Sequence, residues 1–224
     1  MRGSQKNKNY KIRWSSKFVY AVGLLTTDGN LSNDGRHINF TSKDIQLART
    51  FKKCVDLIDV KIGMKTSGFS KKKYTSIQFS NVKLYNHLLK IGLTPNKSKT
   101  LGEVKIPDKY FFDFTRGHFD GDGSCYSYWD KRWPNSFMFY TYFISSSIAH
   151  INWLRSKIQE FTGIKGSIDV SRNAWQLQYA KRESIILWEK MYYKKNLPCL
   201  LRKYDKIKEI LKVQARVAQL VRRT

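Results

Sequence analysis

Two aspartates, each followed by glycine, are the residues of this sequence whose type and spacing could do chemistry. Asp28 lies in "YAVGLLTTDGN" (20–30), and Asp122 lies 94 residues later in "FDFTRGHFDGDGS" (112–124). Each stretch reads as a buried helix that ends at its acidic residue. If the two helices pack together, both carboxylates lie at adjacent C-terminal ends, where like charge and the helix dipoles disfavour them. Mg²⁺ would compensate this arrangement, and two such sites could hydrolyse a phosphodiester.

The segments that follow the two helices also match each other. A strand-like run, a Ser/Thr position and an apolar-periodic segment follow the first helix at 37–58 and the second at 140–164. A second strand-like run and a helical stretch come next, at 73–93 in the first half and at 173–194 in the second. Each half therefore predicts helix, two strands, helix, two strands, helix.

This pattern predicts an α+β fold made of a duplicated αββαββα unit. The predicted boundaries are a first repeat at 14–98, a linker at 99–109, a second repeat at 110–212, and a basic C-terminal helix or tail at 213–224. Gly23 and Gly117 lie within the two Asp-Gly helices and would let their backbones approach closely.

The charge of the chain predicts a polyanionic partner. The sequence has 42 Lys and Arg against 17 Asp and Glu, a formal net charge of +25, and these residues are spread over the whole chain. Nucleic acid is the favoured partner and an anionic membrane the competing one. We expect no membrane association, because no apolar run approaches the length of a span. Three widely spaced cysteines and a polar N-terminus favour an intracellular protein with reduced thiols, in cytoplasm or an organelle matrix, that is not secreted.

The residues "AVGLLTTDG" (21–29) and "TRGHFDGDG" (115–123) resemble the two motif copies of a single-chain LAGLIDADG homing endonuclease, and the resemblance extends over about residues 14–212. It implies two saddle-shaped antiparallel sheets in a DNA major groove, with the motif helices as a pseudo-two-fold interface. It implies a monomer that makes a staggered double-strand cut with Mg²⁺ (or Mn²⁺) held by Asp28 and Asp122. Backbone oxygens of Thr27 and Gly121 would complete the metal sites.

The resemblance also implies a basic residue near each active centre. The candidates are Lys97 or Lys99 in the first half and Arg202 or Lys203 in the second, and we take Lys97 and Lys203 as the catalytic pair. Asp120 stands where the first motif has Thr26, and we expect it to be structural.

The strand faces and their hairpins should contact DNA, with Lys and Arg on phosphates and Arg, Asn and Gln also on base edges. In the first half the predicted contacts are Ser32, Asn33, Arg36, His37, Asn39, Thr41, Lys65, Ser70, Lys71, Lys72, Lys73, Ser76 and Gln78. In the second half they are Tyr126, Tyr128, Lys131, Arg132, Asn135, Tyr140, Ser167, Asp169, Ser171, Arg172, Asn173, Gln176 and Gln178. Because strand side chains alternate between faces, only a correct register would place these residues on one face.

Two alternatives keep the fold and drop the cutting: an RNA maturase that assists intron splicing, or a non-cleaving DNA-binding regulator. Because both acidic residues are present, the nuclease is favoured. A calcium loop at 120–124 is excluded, because Cys125 replaces the required Gly and no Glu closes the loop. The four histidines, His37, His87, His118 and His150, show no metal-ligand spacing.

Overall fold

In the computed structural model of the chain, residues 11–57, 59–66, 72–133, 136–171 and 173–221 are described. The first half contains α1 (Ser16–Asp28), β1 (Gly29–Leu31), β2 (His37–Ser42), α2 (Ile45–Cys54), β3 (Gly63–Thr66), β4 (Lys73–Ser80) and α3 (Val82–Lys90). The second half contains α4 (Phe111–Asp122), β5 (Ser124–Trp129), β6 (Phe137–Ser145), α5 (Ile148–Thr162), β7 (Ser167–Ser171), β8 (Ala174–Ala180) and α6 (Lys181–Met191). A final helix, α7 (Leu201–Val221), follows. The predicted duplicated αββαββα order is confirmed.

The two sheets have the same topology. The first has the strand order β1-β2-β4-β3, the second has the order β5-β6-β8-β7, and all neighbouring strands are antiparallel. Alternate residues of β2 and β6 are buried, so one face of each sheet packs under helices and the other face is open. The turn at 32–36 contains the pair Asp34-Gly35, which is typical of tight hairpin turns, and Gly35 has a φ of +75°.

The helices begin where the sequence provides capping side chains. Ser15 accepts a hydrogen bond from the Phe18 amide at 3.1 Å, and Asn81 accepts one from the Leu84 amide at 3.0 Å. Ser147 serves α5 in the same way. Asp44 precedes α2 but makes no such cap, because its carboxylate bonds Arg202 instead, at 2.8 Å.

Helices α1 and α4 form the seam between the halves. A Cβ added to Gly23 would overlap the carbonyl oxygen of Phe114, and one added to Gly117 would overlap that of Tyr20. The backbones are therefore in direct contact, as the two glycines predict. Both helices are buried along almost their whole length, which is why their C-terminal ends have fixed relative positions.

Helix α7 packs on β5 and β6 and runs through residue 212 without a break. The predicted boundary between residues 212 and 213 therefore falls inside this helix, and the division of the chain into domains stays a prediction. Its start is held by the first half: the Gln46 amide on α2 donates to the Cys199 carbonyl at 2.7 Å and accepts from the Leu201 amide at 3.0 Å. Among the described residues, the search for a helix long and apolar enough to cross a membrane finds none.

Candidate functional site

Asp28 and Asp122 are the last residues of α1 and α4, so the close helix contact brings both carboxylates to one place. The last turn of α4 abuts the last turn of α1: a Cβ on Gly121 would lie 3.3 Å from Asp28 Oδ2 and would overlap the Thr27 side chain. Only glycine fits there. The residues that the sequence predicts as metal ligands are thus all at the same end of the seam.

Asp28 is half-buried and Asp122 is exposed, and both line the same cleft. Among the described residues, no group donates a hydrogen bond to either of them. Burial, followed by the negative charge of Asp122, raises the pKa of Asp28 to about 7. Burial also raises the pKa of Asp122. Lys203 and Lys97 oppose these shifts without cancelling them, so the site favours a proton or a further cation.

One buried lysine lies beside each motif helix end. Lys97, in a single 3₁₀ turn (Lys97–Lys99), donates to the carbonyl of Gly29, just beyond α1. Lys203 donates to four carbonyls at the end of α4: Phe119 at 2.6 Å, Asp120 at 2.8 Å, Gly121 at 3.0 Å and Gly123 at 2.6 Å. Burial lowers the pKa of both lysines to about 8, while the two aspartates oppose this shift.

Among the four basic candidates, Lys97 and Lys203 are the ones that the fold buries at the centre. Lys99 is exposed. Arg202 is exposed and bonded to Asp44, at the edge of the cleft next to the carboxylates. A catalytic role for Lys97 and Lys203 stays a prediction.

A cleft of about 470 Å³ opens on the first-half side of the carboxylates, between the ends of α1 and α4 and the first sheet. Thr27, Asp28, Asn39, Asp122 and Arg202 are among its lining residues. A smaller cavity of about 100 Å³ lies on the second-half side, lined by Thr26, Ser98, His118, Asp122 and Ser145 among others. Asp122 borders both spaces, so a group in either one could reach it.

The donors at this site fit a hard cation. Carboxylate, hydroxyl and backbone oxygens predominate, and the described residues contain no group of three or more His, Cys, Asp or Glu side chains that could enclose a metal. Mg²⁺ binds proteins through one or two carboxylates and keeps several waters. The Gly121 carbonyl already accepts from Lys203, so Asp28, Asp122 and Thr27 are the freer candidates.

Asp120 is buried and engaged in the scaffold. One carboxylate oxygen accepts from the Tyr20 hydroxyl at 2.7 Å and from the Leu200 amide at 2.8 Å, although burial raises its pKa to about 6. It thereby ties α4 to α1 and to the segment before α7. These contacts agree with the structural role that the sequence comparison of the motifs predicts.

The predicted DNA contacts are distributed along the open sheet faces and their hairpins. The open-face residues are His37, Asn39, Thr41, Lys65, Ser76, Gln78, Tyr126, Tyr128, Tyr140, Ser167, Asp169, Gln176 and Gln178. Those in or beside connections are Ser32, Asn33, Arg36, Lys72, Lys131, Arg132 and Asn173. Ser76 is nearly covered, at 5% exposure. Contact with DNA remains a prediction for every one of them.

Lys73 differs from the other strand residues on the list. It alternates with open-face Tyr74 and so points to the same side as buried Thr75 and Ile77, although it is exposed at the strand end. Lys73 and Ser76, both predicted as DNA contacts, therefore lie on opposite faces of β4. Ser70, Lys71, Asn135 and Arg172 lie outside the described residues, as does the side chain of Ser171.

Sequence reasoning missed several residues that belong to this surface. Tyr142 lies two positions after Tyr140 on β6 and shares its open face, which the period of two could have revealed. Asn30, paired with Asn39, was missed for the same reason. The Asp44–Arg202 pair had no sequence signal, because its members lie 158 residues apart.

Comparison with known proteins gives likeness of fold without likeness of sequence. No protein-family model matches the chain, and no curated protein matches it. Full-length DUF199/WhiA from Thermatoga maritima is similar with a TM-score of 0.58 at 15% identity, over 95% of this chain and 68% of that one. The I-LtrWI LAGLIDADG homing endonuclease bound to target DNA gives a TM-score of 0.57 at 14% identity, over 90% and 91%.

A variant of I-DmoI, in complex with its target DNA in the presence of Mg, gives a TM-score of 0.51 at 15% identity, over 81% of this chain and 97% of that one. These structures share the paired sheets and the central helix pair described above. The chain therefore has the LAGLIDADG homing-endonuclease fold.

Proposed function

We propose that this chain is a site-specific DNA endonuclease that makes a staggered double-strand cut in a long target by divalent-metal-assisted phosphodiester hydrolysis. The carrying observation is the pair Asp28 and Asp122, brought together at the seam with raised pKa values and no hydrogen-bond donor among the described residues. Two unpaired carboxylates at helix C-termini are costly, and a structural role would not require them.

The surroundings of the carboxylates support the same chemistry. Mg²⁺ or Mn²⁺ held by Asp28 and Asp122 would supply Lewis-acid stabilisation of phosphate charge and an activated water. Lys97 and Lys203 hold the helix-end carbonyls and place positive charge beside the carboxylates. The net charge of +25 favours duplex binding through phosphate neutralisation.

The single chain supplies both halves of the site, so we propose that it acts as a monomer on double-stranded DNA. The pseudo-two-fold axis lies inside the chain, between α1 and α4, and no second copy is needed to complete the pair of carboxylates. The likeness to I-LtrWI bound to target DNA supports DNA as the partner, and the open sheet faces are the surfaces that we assign to it. The likeness to I-DmoI with DNA and Mg supports the metal.

A cleavage selection tests this proposal. The purified chain is incubated with a randomised duplex library with and without Mg²⁺ or Mn²⁺, beside the Asp28→Asn/Asp122→Asn double variant. We expect metal-dependent staggered cuts at one long site and no cuts by the double variant. Asp44→Asn is the matched control, because it removes a carboxylate of the same cleft that pairs with Arg202. Cuts that persist in the double variant would overturn the assignment.

A non-cleaving DNA-binding regulator is the second candidate. The likeness to DUF199/WhiA supports it, because that fold neighbour, with TM-scores of 0.58 and 0.56, is as similar to this chain as the homing endonucleases are. Tight, salt-sensitive duplex binding without cuts in either metal would support this reading. Preference for an intron RNA over the selected duplex would instead support a maturase.

A further inference from the structure

The open faces of the two sheets differ in chemistry at corresponding positions. On the first sheet Asn39 lies opposite Asn30, which is two residues after Asp28. On the second sheet Tyr142 lies opposite Ser124, which is two residues after Asp122. Gln78 pairs with Asn39 and Gln178 pairs with Tyr142, so this glutamine is common to both sheets. The two sheets therefore share this glutamine and differ in the side chains beside it.

Four tyrosines form a continuous row on the second sheet, which we call the tyrosine row: Tyr126, Tyr128, Tyr140 and Tyr142. Ring centroids lie 5.7 Å apart for Tyr126–Tyr128, 6.3 Å for Tyr128–Tyr140 and 6.1 Å for Tyr140–Tyr142. Tyr126 is 54% exposed and Tyr128 is 37% exposed. The rings lean on one another and leave their outer edges free.

The row is held in place by its own contacts. A hydrogen bond with Tyr128 raises the pKa of Tyr140 to about 12, and the ring contacts join all four side chains. A rigid aromatic edge of this kind loses little side-chain entropy on binding. Large exposed aromatic surfaces on monomers mark contact sites.

The second open face also lacks the side chains that recognise guanine. No described strand residue that points to this face is Lys or Arg. Its charged member, Asp169 on β7, could accept from cytosine, but it lies opposite Gln176 and two strands away from the tyrosines of β6. The first sheet has Lys65 on its open face. Arg and Lys make the commonest specific contact to guanine, Gln pairs with adenine, and apolar groups contact the thymine methyl. Gln176 and Gln178 therefore match adenine, and the tyrosine row matches the thymine methyl group.

The row has a definite length and direction. Tyr142 pairs with Ser124, two residues from Asp122, and Met138 lies at the far end opposite Tyr128. A strand rises about 3.4 Å per residue, close to the rise of one base pair. The span from Tyr142 to Met138 therefore covers about four base pairs, beginning near the cleavage centre.

We propose that the half-site under the second sheet is A·T-rich over about four consecutive base pairs, with thymine methyl groups packed against the tyrosine row. This inference rests on the proposed function, because it requires the open sheet faces to lie in the major groove. It adds a specificity surface and the class of sequence that this surface selects.

The first test is a binding selection from a randomised duplex library without divalent metal, so that cleavage is not needed. We expect a run of A·T pairs in one half-site and a mixed sequence in the other. Thymines of each half-site are then replaced by deoxyuridine, which lacks only the methyl group. We expect Kd to rise about four-fold for each contacted thymine in the A·T-rich half. In the other half the change should be less than two-fold.

A mutant cycle assigns the effect to the row. In Tyr140→Ala and Tyr142→Ala the deoxyuridine penalty should disappear, whereas in Asn39→Ala, at the matched position of the first sheet, it should persist. Tyr140→Phe should keep the penalty, because the ring makes the contact. A guanine-rich half-site, equal penalties in both halves, or loss of the penalty in Tyr140→Phe would overturn the inference.

The outcomes separate this inference from the proposed function. Cutting of a target with no A·T run and no deoxyuridine effect overturns the inference alone. Duplex binding with the expected penalties but no cleavage supports the inference and overturns the endonuclease. Tighter binding of the single strand than of the duplex overturns the inference, because the row would then stack on unpaired bases.

Discussion

Helices α1 and α4 occupy equivalent places in the two halves, yet their buried faces have opposite character. With the 94-residue offset, buried Val19 and Val22 of α1 correspond to Asp113 and Arg116 of α4, which are 1% and 0% exposed. At these two positions α1 is held by apolar packing, whereas α4 is held by a buried ion pair. One backbone arrangement is thus stabilised in two different ways.

The ion pair of α4 belongs to a network that reaches the C-terminal segment. Arg116 bonds Asp113 at 2.6 Å, the Met191 carbonyl at 2.6 Å and the Pro198 carbonyl at 2.9 Å. Asp120 extends it to Leu200. This network fixes the chain between α6 and α7, and so fixes the approach of Lys203. The comparison teaches that burying polar residues in α4 serves to position a later segment.

Breaking that network should have the largest effect on stability. Arg116→Val leaves the Asp113 carboxylate buried without its cation, which should lower the free energy of unfolding by about 3–5 kcal/mol. Asp113→Val/Arg116→Val copies the α1 pair and should recover about 1–3 kcal/mol of that loss. Urea denaturation of Arg116→Val, Asp113→Val and the double variant measures both values. Additive effects of the single changes would mean that the pair does not act as a unit.

A second difference concerns histidines. Leu24 and Leu47 of the first half correspond to His118 and His150, which are buried and stacked with centroids 5.1 Å apart. Burial lowers the pKa of His150 to about 4 and that of His118 well below 6.5. Both are bases with depressed folded-state pKa values, so unfolding takes up protons once the pH falls below about 6.5.

Stability should therefore fall between pH 6.5 and pH 4, by about 3 kcal/mol from His150 alone. In His150→Leu, which copies Leu47, this pH dependence should be reduced by a similar amount. Unfolding free energies measured by denaturant at pH 7, 5.5 and 4.5 give the slope. An unchanged slope in His150→Leu would assign the acid sensitivity elsewhere.

The two glycines of the seam should be equally important in the two halves, because each one allows the backbones of α1 and α4 to touch. Gly23→Ala and Gly117→Ala each place a Cβ on a backbone carbonyl of the facing helix, and each should cost about 1–3 kcal/mol. Gly102→Ala is the control, since a Cβ there meets nothing within 4 Å. Thermal unfolding compares the three. A cost for only one of the seam glycines would show that the interface is less symmetric than it looks.

The smallest expected effect is a gain. Because the folded-state pKa of Asp28 is raised from 3.8 to about 7, its ionisation opposes folding increasingly from about pH 4 to pH 7. Asp28→Asn should stabilise the protein by about 1–2 kcal/mol at pH 8 and by little at pH 4. The gain should exceed that of Asp122→Asn, whose carboxylate is more exposed.

Mg²⁺ sharpens this last comparison. The metal should raise the Tm of the wild-type chain at pH 8 and leave that of Asp28→Asn/Asp122→Asn unchanged, because only ionised carboxylates bind it. Equal Tm shifts in both proteins would indicate that the metal binds elsewhere.

The sequence predicted the features that depend on local pattern. Alternation located β2, β4, β6 and β8, repetition gave the order of elements in the two halves, and the two Asp-Gly helices gave the seam with Asp28 and Asp122. The buried pair Asp113–Arg116 was missed, since charges three residues apart on a helix normally face solvent. The prediction for β4 named Lys73 and Ser76 together, although alternation puts them on opposite faces. Long-range partners such as Asp44 and Arg202 have no local signal.

The hold of Gln46 on residues 199–201 has a practical consequence. This one side chain of the first half hydrogen-bonds the Cys199 carbonyl and the Leu201 amide, just before Lys203 in α7. The two repeats are therefore not interchangeable modules, and a chain divided at the linker would leave one fragment with an unsupported lysine. A change at Gln46 could therefore alter the position of Lys203 at the end of α4 without altering any residue of the open sheet faces.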